Sequence, residues 1–466
     1  MRRAVLLALA VVLGWSAPAA AQDCLSADPP APGGAQPLRM GVFPLAAGSA
    51  GAAQAEPAPE DPAKALAALR ALRAPGKELV VRLNRMFWAD GDAGLARFAA
   101  LVDGYAREGF RSELQVRYHP PEGHAGDIAG WLEYVRAAVR TFAPRRSVVA
   151  LSITNEANLP GSPNTSDGFY AGVREALVQG VIAARAEADR LGRGDLSIGF
   201  SYAYRNSPQA DDAFWEELGA RGGPAFAAAV GHVGLQVYPG LFWPPVTTDP
   251  AGDVLEALTL LRDCWMPKAG LGRGVPLWVS ENGYATRGGA GEDRQAGDLR
   301  ATVGALARWS SALGVTDYRY FNLRDNRSQG SDLFDAVGLL FDDYREKQAF
   351  GVFREAVASH GAAAPAASSP VAAPRVAPRL RVRVRPRVVV RGRRTLLRVR
   401  VRAGGRGVYG ALVRVGGRRV RTGRSGRARL RYRFVGRPGR RLVRVTKDGR
   451  RATAPVRVRR AVDSSG

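Results

Sequence analysis

The sequence alternates between short apolar segments and amphipathic segments, and this alternation constrains the fold more than any other feature. Eight segments have the composition of buried strands, and helix-like segments separate them. The alternation predicts a parallel sheet, and eight such units are typical of a (β/α)8 TIM barrel. A doubly wound open sheet is the alternative, but no glycine-rich phosphate motif follows the first strand. The predicted strands are 38–43, 78–84, 112–119, 147–154, 196–202, 233–238, 275–281 and 315–322.

The helical segments carry recognisable start and stop signals. Asp61 stands at a predicted N-cap with Pro62 at the first helical position, and glycines close several of the later helices. The predicted helices are 61–72, 95–108, 128–142, 167–191, 211–218, 252–264, 292–313 and 346–359.

Two of the predicted strands deliver a glutamate at their C-terminal ends. The run 147–154 is continuously apolar and β-branched, and Asn155-Glu156 follow it; the run 275–280 is followed by Glu281. Active sites of α/β barrels lie at this end of the strands, so both side chains are expected at one mouth. Two facing carboxyl groups are the chemical equipment of glycoside hydrolysis, in which one protonates the leaving oxygen while the other attacks or activates water.

With these motifs the chain resembles clan A of the retaining glycoside hydrolases, which are (β/α)8 barrels, over about residues 38–358. Members carry Asn-Glu after strand four and a nucleophilic Glu after strand seven. The resemblance implies that Glu156 is the acid/base, that Glu281 is the nucleophile, and that O-glycosidic bonds of a β-linked poly- or oligosaccharide are cleaved by double displacement. It implies neither a metal nor an organic cofactor.

Other strand ends match the same pattern. The resemblance implies that Arg82 hydrogen-bonds the nucleophile, that His119 binds substrate, that Tyr238 also bonds the nucleophile, and that Asn155 binds the sugar 2-hydroxyl. Each residue also has a purely structural alternative: an ion-pair partner for Arg82, a satisfied polar contact for His119, and a cap of the barrel rim for Tyr238.

Aromatic side chains near the strand ends are candidates for stacking on sugar rings. Many clan members end strand eight with a Trp that forms the floor of the first sugar-binding subsite. This chain has Tyr320 and Phe321 there, and we expect Phe321 or Tyr320 to replace the Trp. Trp88 and Trp243 lie in strand-end loops, where they either contact substrate or pack within the loops.

The N-terminus predicts export. Residues 1–21 combine an Arg pair, an apolar run and a small-residue cleavage site, which indicates a signal peptide and a secreted protein; no later segment has the apolar length of a membrane span. Cys24 and Cys264 are the two cysteines of the chain, and in an oxidising compartment they are a candidate disulfide. Two unpaired buried thiols are the alternative.

The charge is concentrated at the C-terminus. Of the 68 Lys and Arg residues, 32 lie beyond residue 370, against two acidic residues there, so that part carries about +30 and the remainder about −4. A Pro/Ala-rich linker, 361–378, separates the catalytic domain, 22–360, from an Arg-rich segment, 379–461. Its alternation of apolar residues and Arg, punctuated by glycines, predicts a small β-sandwich that resembles bacterial immunoglobulin-like modules.

The basic module permits two interpretations. It binds an anionic cell-wall polymer or polysaccharide through long-range attraction, or it is a solvated sandwich whose outward positions are simply Arg. Nucleic-acid binding is disfavoured because few aromatic residues stand among the arginines. Two alternatives to the enzyme remain: a barrel that binds carbohydrate without catalysis, and a surface adhesion protein in which the basic module is the working part.

Overall fold

The computed structural model describes residues 24–45, 56–161, 163, 165–204, 207–287, 291–332, 334–364, 380–403, 405–447 and 450–460. The predicted signal peptide, 1–21, and most of the predicted linker lie outside these ranges. The chain divides into two compact units, Met1–Pro365 and Ala366–Gly466.

The first unit is a closed barrel of eight parallel strands in chain order, in which β1 pairs with both β2 and β8. The predicted TIM barrel is therefore confirmed. β4 and β7 are buried along their whole length, as continuous apolar runs require. The strands are β1 (Arg39–Val42), β2 (Val80–Phe87), β3 (Arg111–Arg117), β4 (Val148–Ile153), β5 (Ser197–Ala203), β6 (His232–Gln236), β7 (Leu277–Asn282) and β8 (Val315–Tyr320).

Helices follow the strands around the outside. The Asp61 carboxylate accepts from the Ala63 and Lys64 amides, which confirms the predicted N-cap. The helices are α1 (Pro62–Leu72), α2 (Gly91–Arg107), α3 (Ile128–Phe142), α4 (Val173–Arg190), α5 (Pro208–Ala229, broken at Gly223), α6 (Pro250–Leu260), α7 (Met266–Lys268), α8 (Gly291–Leu313) and α9 (Gln348–His360). Short 3-10 turns span Trp88–Asp90 and Asp167–Phe169, and a π-helical turn spans Leu261–Trp265.

The prediction of one helix over 167–191 is wrong at its start. Asp167 forms a 3-10 turn instead, and α4 begins only at Val173, after Gly172 at φ 78°. The cause is tertiary: Arg117 at the end of β3 donates to the Asp167 carboxylate at 2.8 Å, which draws this residue into the barrel mouth. The helical pattern of the sequence carries no sign of that contact.

Charged side chains fill part of the barrel interior. Arg82 and Arg319 both donate to Glu113, and Arg319 and Arg39 both donate to Asp317. The side chains of Arg82, Glu113 and Arg319 are fully buried. Because an unpaired charge in such a place is costly, each carboxylate of this network is held by two cations.

An aromatic pair lies deeper in the same interior. The rings of His232 and Trp278 stack at 3.7 Å, and the guanidinium groups of Arg39 and Arg319 lie over the Trp278 ring at 5.1 and 5.5 Å. Burial lowers the pKa of His232 well below its ordinary value, so this imidazole is neutral. Gly41 makes room for Arg319, because a Cβ at position 41 would lie 2.6 Å from the Arg319 Cδ.

The N-terminal segment is fastened to the barrel. Cys24 and Cys264 form a disulfide with their Cα atoms 5.9 Å apart, which confirms the predicted pair. At the other end, the predicted linker begins later than expected. Residues 361–364 still pair with the barrel, since the Ala362 amide donates to the Leu38 carbonyl and the Glu78 amide to the Ala362 carbonyl. No described helix has the length and apolar content needed to cross a bilayer.

The second unit consists of two β-sheets around a shared apolar core that includes Leu397, Val399, Val413 and Val443. The predicted sandwich is confirmed. One sheet has the order β10-β17-β16-β13-β14; the other has the order β12-β11-β15, with β9 also paired to β11. The strands are β9 (Arg381–Arg385), β10 (Val388–Val390), β11 (Arg394–Ala403), β12 (Arg406–Gly407), β13 (Leu412–Val415), β14 (Arg418–Arg421), β15 (Arg427–Arg433), β16 (Gly439–Lys447) and β17 (Arg450–Arg459).

The run 380–390, which the sequence predicts as one strand, is two strands in different sheets. β9 pairs with β11, whereas β10 pairs in parallel with β17. Pro386 lies between them, and proline cannot donate to a strand ladder, so the chain changes sheets there.

Candidate active site

Glu281 lies near the C-terminal end of β7 and is held by donors from two neighbouring positions. Its Oε1 accepts from Gln236 Nε2 at 2.8 Å, and its Oε2 accepts from the Tyr238 hydroxyl at 2.9 Å. The Arg82 Nη2 lies 3.8 Å from Oε1. The residue is 7% exposed. A register shift between β6 and β7 places Gln236 opposite Glu281 and so brings the two side chains together.

These contacts make the pKa of Glu281 lower than burial alone would make it, and so they favour the ionised carboxylate. Burial raises the pKa of Glu281, while the Arg82 charge, the Tyr238 hydrogen bond and the Arg117 charge oppose that rise. Burial lowers the pKa of Arg82 to about 10, so the guanidinium remains charged at neutral pH. A buried carboxylate with a cation and two hydrogen-bond donors is suited to act as an anion.

Glu156 lies in a strained turn directly after β4. Thr154 has φ 64° and Glu156 has φ 47°, a left-handed conformation that non-glycine residues seldom adopt and that is especially unfavourable for a β-branched one. The surroundings hold the turn in place. The Thr154 amide donates to the Val116 carbonyl at 2.8 Å, and the Glu156 amide donates to Ser201 Oγ at 3.3 Å.

Asp167 also fixes this turn, from the loop that follows it. One oxygen of the Asp167 carboxylate accepts from the backbone N–H of Asn155 at 2.8 Å and from the backbone N–H of Tyr118 at 2.7 Å. The Arg117 guanidinium donates to the other oxygen. The Asp167 amide in turn donates to the Asn155 carbonyl at 2.8 Å. Asp167 therefore joins the ends of β3 and β4 and orients the residue beside Glu156.

The Glu156 carboxyl has a different environment from that of Glu281. Burial raises its pKa well above the ordinary value, and the charge of Glu281 raises it further, while Arg117 opposes the rise. Among the described residues it accepts no hydrogen bond on its carboxylate. Of two interacting carboxyls, the one without donors binds the shared proton more strongly, so Glu156 is the proton-holding member of the pair.

A single amide group connects the ends of β4, β6 and β7. Gln236 Nε2 donates both to Glu281 Oε1 and to Asn155 Oδ1, each at 2.8 Å. Asn155, which precedes Glu156, and the Glu281 carboxylate therefore accept hydrogen bonds from the same nitrogen atom. This contact places the two strand ends at the same mouth of the barrel.

Asn155 is almost fully occupied by protein contacts. Its Oδ1 accepts from Gln115 Nε2 at 2.7 Å, from Gln236 and from Ser201 Oγ at 3.3 Å, and its Nδ2 donates to the Thr165 carbonyl at 2.7 Å. One N–H of the amide is left for a ligand, which is the group that binding of a sugar hydroxyl would use.

Arg82 reaches the site in a different way from the one that the sequence suggests. Its Nη1 donates to Glu113, and the predicted hydrogen bond to Glu281 is replaced by the ion pair at 3.8 Å. Glu113 accepts from Arg82 with one carboxylate oxygen and from Arg319 with the other, so Arg319 helps to hold Glu113 beside Arg82. Within the described residues, Nε and Nη2 of Arg82 make no hydrogen bond.

The predicted contact between Tyr238 and Glu281 is present, although Tyr238 lies two residues beyond the end of β6. The Phe321 ring packs against those of Tyr238 at 6.1 Å, Phe43 at 4.9 Å and Phe334 at 5.8 Å, so it contacts a residue that holds Glu281. Tyr320 points outward to α9, where its ring lies 6.0 Å from that of Phe353. Phe321 is thus the aromatic residue that β8 places near the site.

Two other predicted contact residues, His119 and Trp243, have no contact with the two carboxyls in the part of the chain that the structure describes. His119 is half-buried on the rim, with Nδ1 2.9 Å from the Tyr170 hydroxyl and 3.1 Å from the Pro163 carbonyl. Trp243 is 39% exposed in the loop after β6. The structure gives neither of them a contact with Glu156 or Glu281 among the described residues.

Trp88 packs inside the protein and does not make the predicted contact with substrate. It is 7% exposed, and its ring packs against Tyr118 at 5.6 Å and Trp131 at 5.8 Å, within the main core. A ring that is enclosed in this way has no face left to stack on a sugar. The sequence places Trp88 correctly after β2, but the 3-10 turn that it begins directs the side chain toward α3.

Sequence reasoning misses Gln115, Gln236, Arg117 and Asp167. Gln236 is visible in the sequence as the one polar residue of the run 233–237, whereas Gln115 stands between the charged residues Glu113 and Arg117. A polar residue buried on a strand must have a partner, so this signal could have identified Gln236. Asp167 has no such signal, because it reads as an ordinary helix start.

Comparisons with known proteins give distant structural matches. No protein-family model matches the chain, and neither does any curated protein sequence. A GH5_18 protein of Bifidobacterium longum subsp. infantis matches 70% of this chain and 80% of its own, with 14% identity and a TM-score of 0.49. GH5_18 from Streptomyces cattleya, in complex with GlcNAc, matches 71% and 83%, with 15% identity and a TM-score of 0.45.

β-Glucuronidase 2 of Bacteroides uniformis matches 91% of this chain with 12% identity and a TM-score of 0.44. The match covers 46% of that protein, so the chain spans less than half of its length.

Proposed function

We propose that this protein is a glycoside hydrolase that cleaves O-glycosidic bonds with retention of configuration. Glu281 is the nucleophile and Glu156 is the acid/base. The proposal rests on two buried carboxyls with different partners. Burial raises the pKa of both, but Arg82 and the Tyr238 hydrogen bond oppose the rise at Glu281, while the charge of Glu281 adds to it at Glu156. Two carboxyls with opposite protonation states are what a retaining mechanism starts from.

The single observation that carries the proposal is the double contact of Gln236 Nε2 with Asn155 and Glu281. It ties the nucleophile to the residue that precedes the acid. The proposal of retention requires the Glu156 and Glu281 carboxyl groups to lie about 5–5.5 Å apart, whereas inversion would require about 6.5–9.5 Å to admit a water molecule.

The mechanism follows from the protonation states. The Glu281 carboxylate attacks the anomeric carbon while Glu156 gives its proton to the departing oxygen, so a glycosyl ester forms at Glu281. Loss of the Glu281 charge removes the repulsion that raised the pKa of Glu156. Glu156 is then a carboxylate, and it takes a proton from the water that hydrolyses the ester.

The substrate that we propose is a β-linked poly- or oligosaccharide, reached outside the cell. Export is supported by the signal-peptide pattern of residues 1–21 and by the disulfide between Cys24 and Cys264. The exposed Trp243 in the loop after β6 suits a ligand with apolar sugar faces.

The test uses two kinds of aryl β-glycoside, one with a good leaving group, such as dinitrophenolate, and one with a poor leaving group. Across a panel of sugars, the wild-type protein should hydrolyse both kinds for at least one sugar. Glu156→Gln should keep its kcat/KM only on the good leaving group, because that group departs without a proton, while its kcat should fall because the glycosyl ester loses its general base. Glu281→Gln should lose activity on both.

Glu216→Gln is the matched control, because Glu216 is an exposed carboxylate on α5 that pairs with Lys268 at 2.9 Å. It should behave as the wild type does. If both site variants keep wild-type rates on a poor leaving group, the assignment of the two carboxyls is wrong. If the wild type binds sugars but cleaves none of the panel, the barrel is a binding protein instead.

A further inference from the structure

The outer surface of one sheet in the second unit consists of arginines at nearly every outward position. Along β9, β11 and β15 the buried residues alternate with exposed arginines. We call this set the arginine face; it comprises Arg381, Arg383, Arg385, Arg394, Arg398, Arg400, Arg402, Arg427, Arg429, Arg431 and Arg433.

These arginines stand directly opposite one another. Arg400 pairs in register with Arg383 on one side and with Arg427 on the other. The next row, two residues along β11, has the same arrangement, with Arg398 between Arg385 and Arg429. Like charges directly opposite each other on a sheet are destabilising, so the module bears this arrangement at a cost to its own stability.

The part of the module that the structure describes contains no acidic residue to neutralise the face. From residue 371 to the C-terminus the sequence has two, Asp448 and Asp463, and both lie outside the described residues. The mutual repulsion is visible at Arg400, whose pKa is lowered mainly by the charge of Arg402, together with those of Arg427 and Arg383. The counter-charge must therefore come from solvent ions or from a ligand.

The edge of the face forms a concave surface. A cavity of about 760 Å³ is lined by Arg383, Arg385, Arg387 and Arg398, with Leu396 among them. Four cationic side chains around one groove concentrate positive potential there, which favours an anionic ligand over free counter-ions.

The other sheet of the same module shows that arginine is not the default outward residue. Its outer positions include the exposed apolar residues Leu442, Val388 and Val390 and the polar Thr453. A general bias of the sequence toward arginine would act on both sheets equally. Among the described residues, that sheet has one row of three arginines, Arg419, Arg414 and Arg444, which ends at Thr453. The arginine face has two adjacent rows of three, and this denser arrangement points to a function of that surface.

We propose that the arginine face binds a linear anionic polysaccharide, a chain of uronate sugars with one carboxylate per unit. Neighbouring strands lie about 4.8 Å apart, so a row across β9, β11 and β15 repeats at roughly the spacing of successive sugars in an extended chain. Guanidinium groups bind carboxylates through paired hydrogen bonds. The outward positions of the three strands have no aromatic residue on which the bases of single-stranded nucleic acid could stack.

The test measures binding of the full chain to polygalacturonate, to its fully methyl-esterified and therefore uncharged form, and to duplex DNA at equal charge concentration. The row variant Arg383→Gln/Arg400→Gln/Arg427→Gln removes the centre of the face. The control variant Arg414→Gln/Arg444→Gln/Arg457→Gln removes the same charge from the other sheet, where these three residues lie on β13, β16 and β17. Binding is measured over a range of salt concentrations, and hydrolysis is measured separately.

The wild type should bind polygalacturonate with an affinity that falls steeply with salt, and it should not bind the methyl ester. The row variant should bind about tenfold or more weakly with a shallower salt dependence, because it loses three ionic contacts, while the control variant should lose about threefold or less. Circular dichroism should show both variants folded, and the row variant should be at least as stable as the wild type because repulsion is relieved.

Three results would overturn the proposal: equal losses in the two variants, equal binding of the methyl ester, or tighter binding of DNA than of polygalacturonate. The first would leave only a general charge effect, and the third would identify nucleic acid as the ligand class. The binding result does not depend on whether the barrel hydrolyses anything, so it stands or falls apart from the proposed glycosidase activity.

Discussion

Replacing Tyr238 with Phe tests the electrostatic account of the nucleophile. Tyr238 donates one of the hydrogen bonds that Glu281 accepts, at 2.9 Å, and that bond lowers the pKa of the carboxyl. The nucleophile must be ionised to attack, so activity falls as the pH drops through its pKa. Removal of the bond raises the pKa of Glu281, and the acid limb of the kcat/KM profile should therefore move to higher pH.

The size of the shift follows from the burial of both partners. A hydrogen bond to a charged group contributes roughly 1.5–3 kcal/mol, and one pKa unit corresponds to about 1.4 kcal/mol. Solvent does not screen this contact, because Tyr238 and Glu281 are both buried. We therefore expect the acid limb to move up by about 1–2 pH units.

The assay is kcat/KM against pH for an aryl glycoside that the wild type cleaves. Tyr284→Phe is the matched control, since Tyr284 is buried and its hydroxyl lies 2.6 Å from Thr302 Oγ1, not beside Glu281. It removes a similar hydroxyl and should leave the acid limb in place. An unchanged limb in Tyr238→Phe, or an equal shift in both variants, would refute the proposed role of Tyr238.

Three further perturbations test other parts of the account. Asp167→Asn should lower kcat/KM and move the alkaline limb to lower pH, because loss of the Asp167 charge leaves that of Arg117 to lower the pKa of Glu156; an unchanged limb would contradict this. Asp317→Asn should destabilise the barrel by about 3–5 kcal/mol in denaturant titrations followed by tryptophan fluorescence, since the buried Arg319 and the half-buried Arg39 lose a charged partner; a loss below about 1 kcal/mol would contradict it. Cys24→Ser should cost about 2–4 kcal/mol in the same assay, and an equal loss when the wild type is reduced would confirm the cause.

The order of elements in the barrel could be predicted from the sequence because strand-like and helix-like segments alternate, and several strands, such as β4, are apolar runs with their own flanking signals. α3, for example, has the predicted bounds in the structure. The failures occur where a distant residue decides the local structure. Asp167 leaves the predicted helix because Arg117 binds it, and Pro386 divides a strand whose alternating pattern continues on both sides of it.

The candidate site could be predicted in part for the same reason. Glu156 and Glu281 follow strand ends, where chain position alone determines which mouth they occupy. Gln236 could not be assigned a partner, because its contacts depend on a register shift between β6 and β7. Trp88 was placed in the right loop, but the direction of its side chain depends on a 3-10 turn with no clear sequence signal.

The most direct test of the central claim adds azide to one variant of the nucleophile, Glu281, and to one variant of the acid/base, Glu156. The anomeric configuration of the glycosyl azide that each variant forms is then determined. With an activated aryl β-glycoside, Glu281→Gly and azide should give the α-glycosyl azide, because azide attacks the face that Glu281 normally occupies. Glu156→Ala and azide should give the β-glycosyl azide from the glycosyl-enzyme. Absence of an adduct from both variants, or the same anomer from both, would contradict the assignment of the two carboxyls.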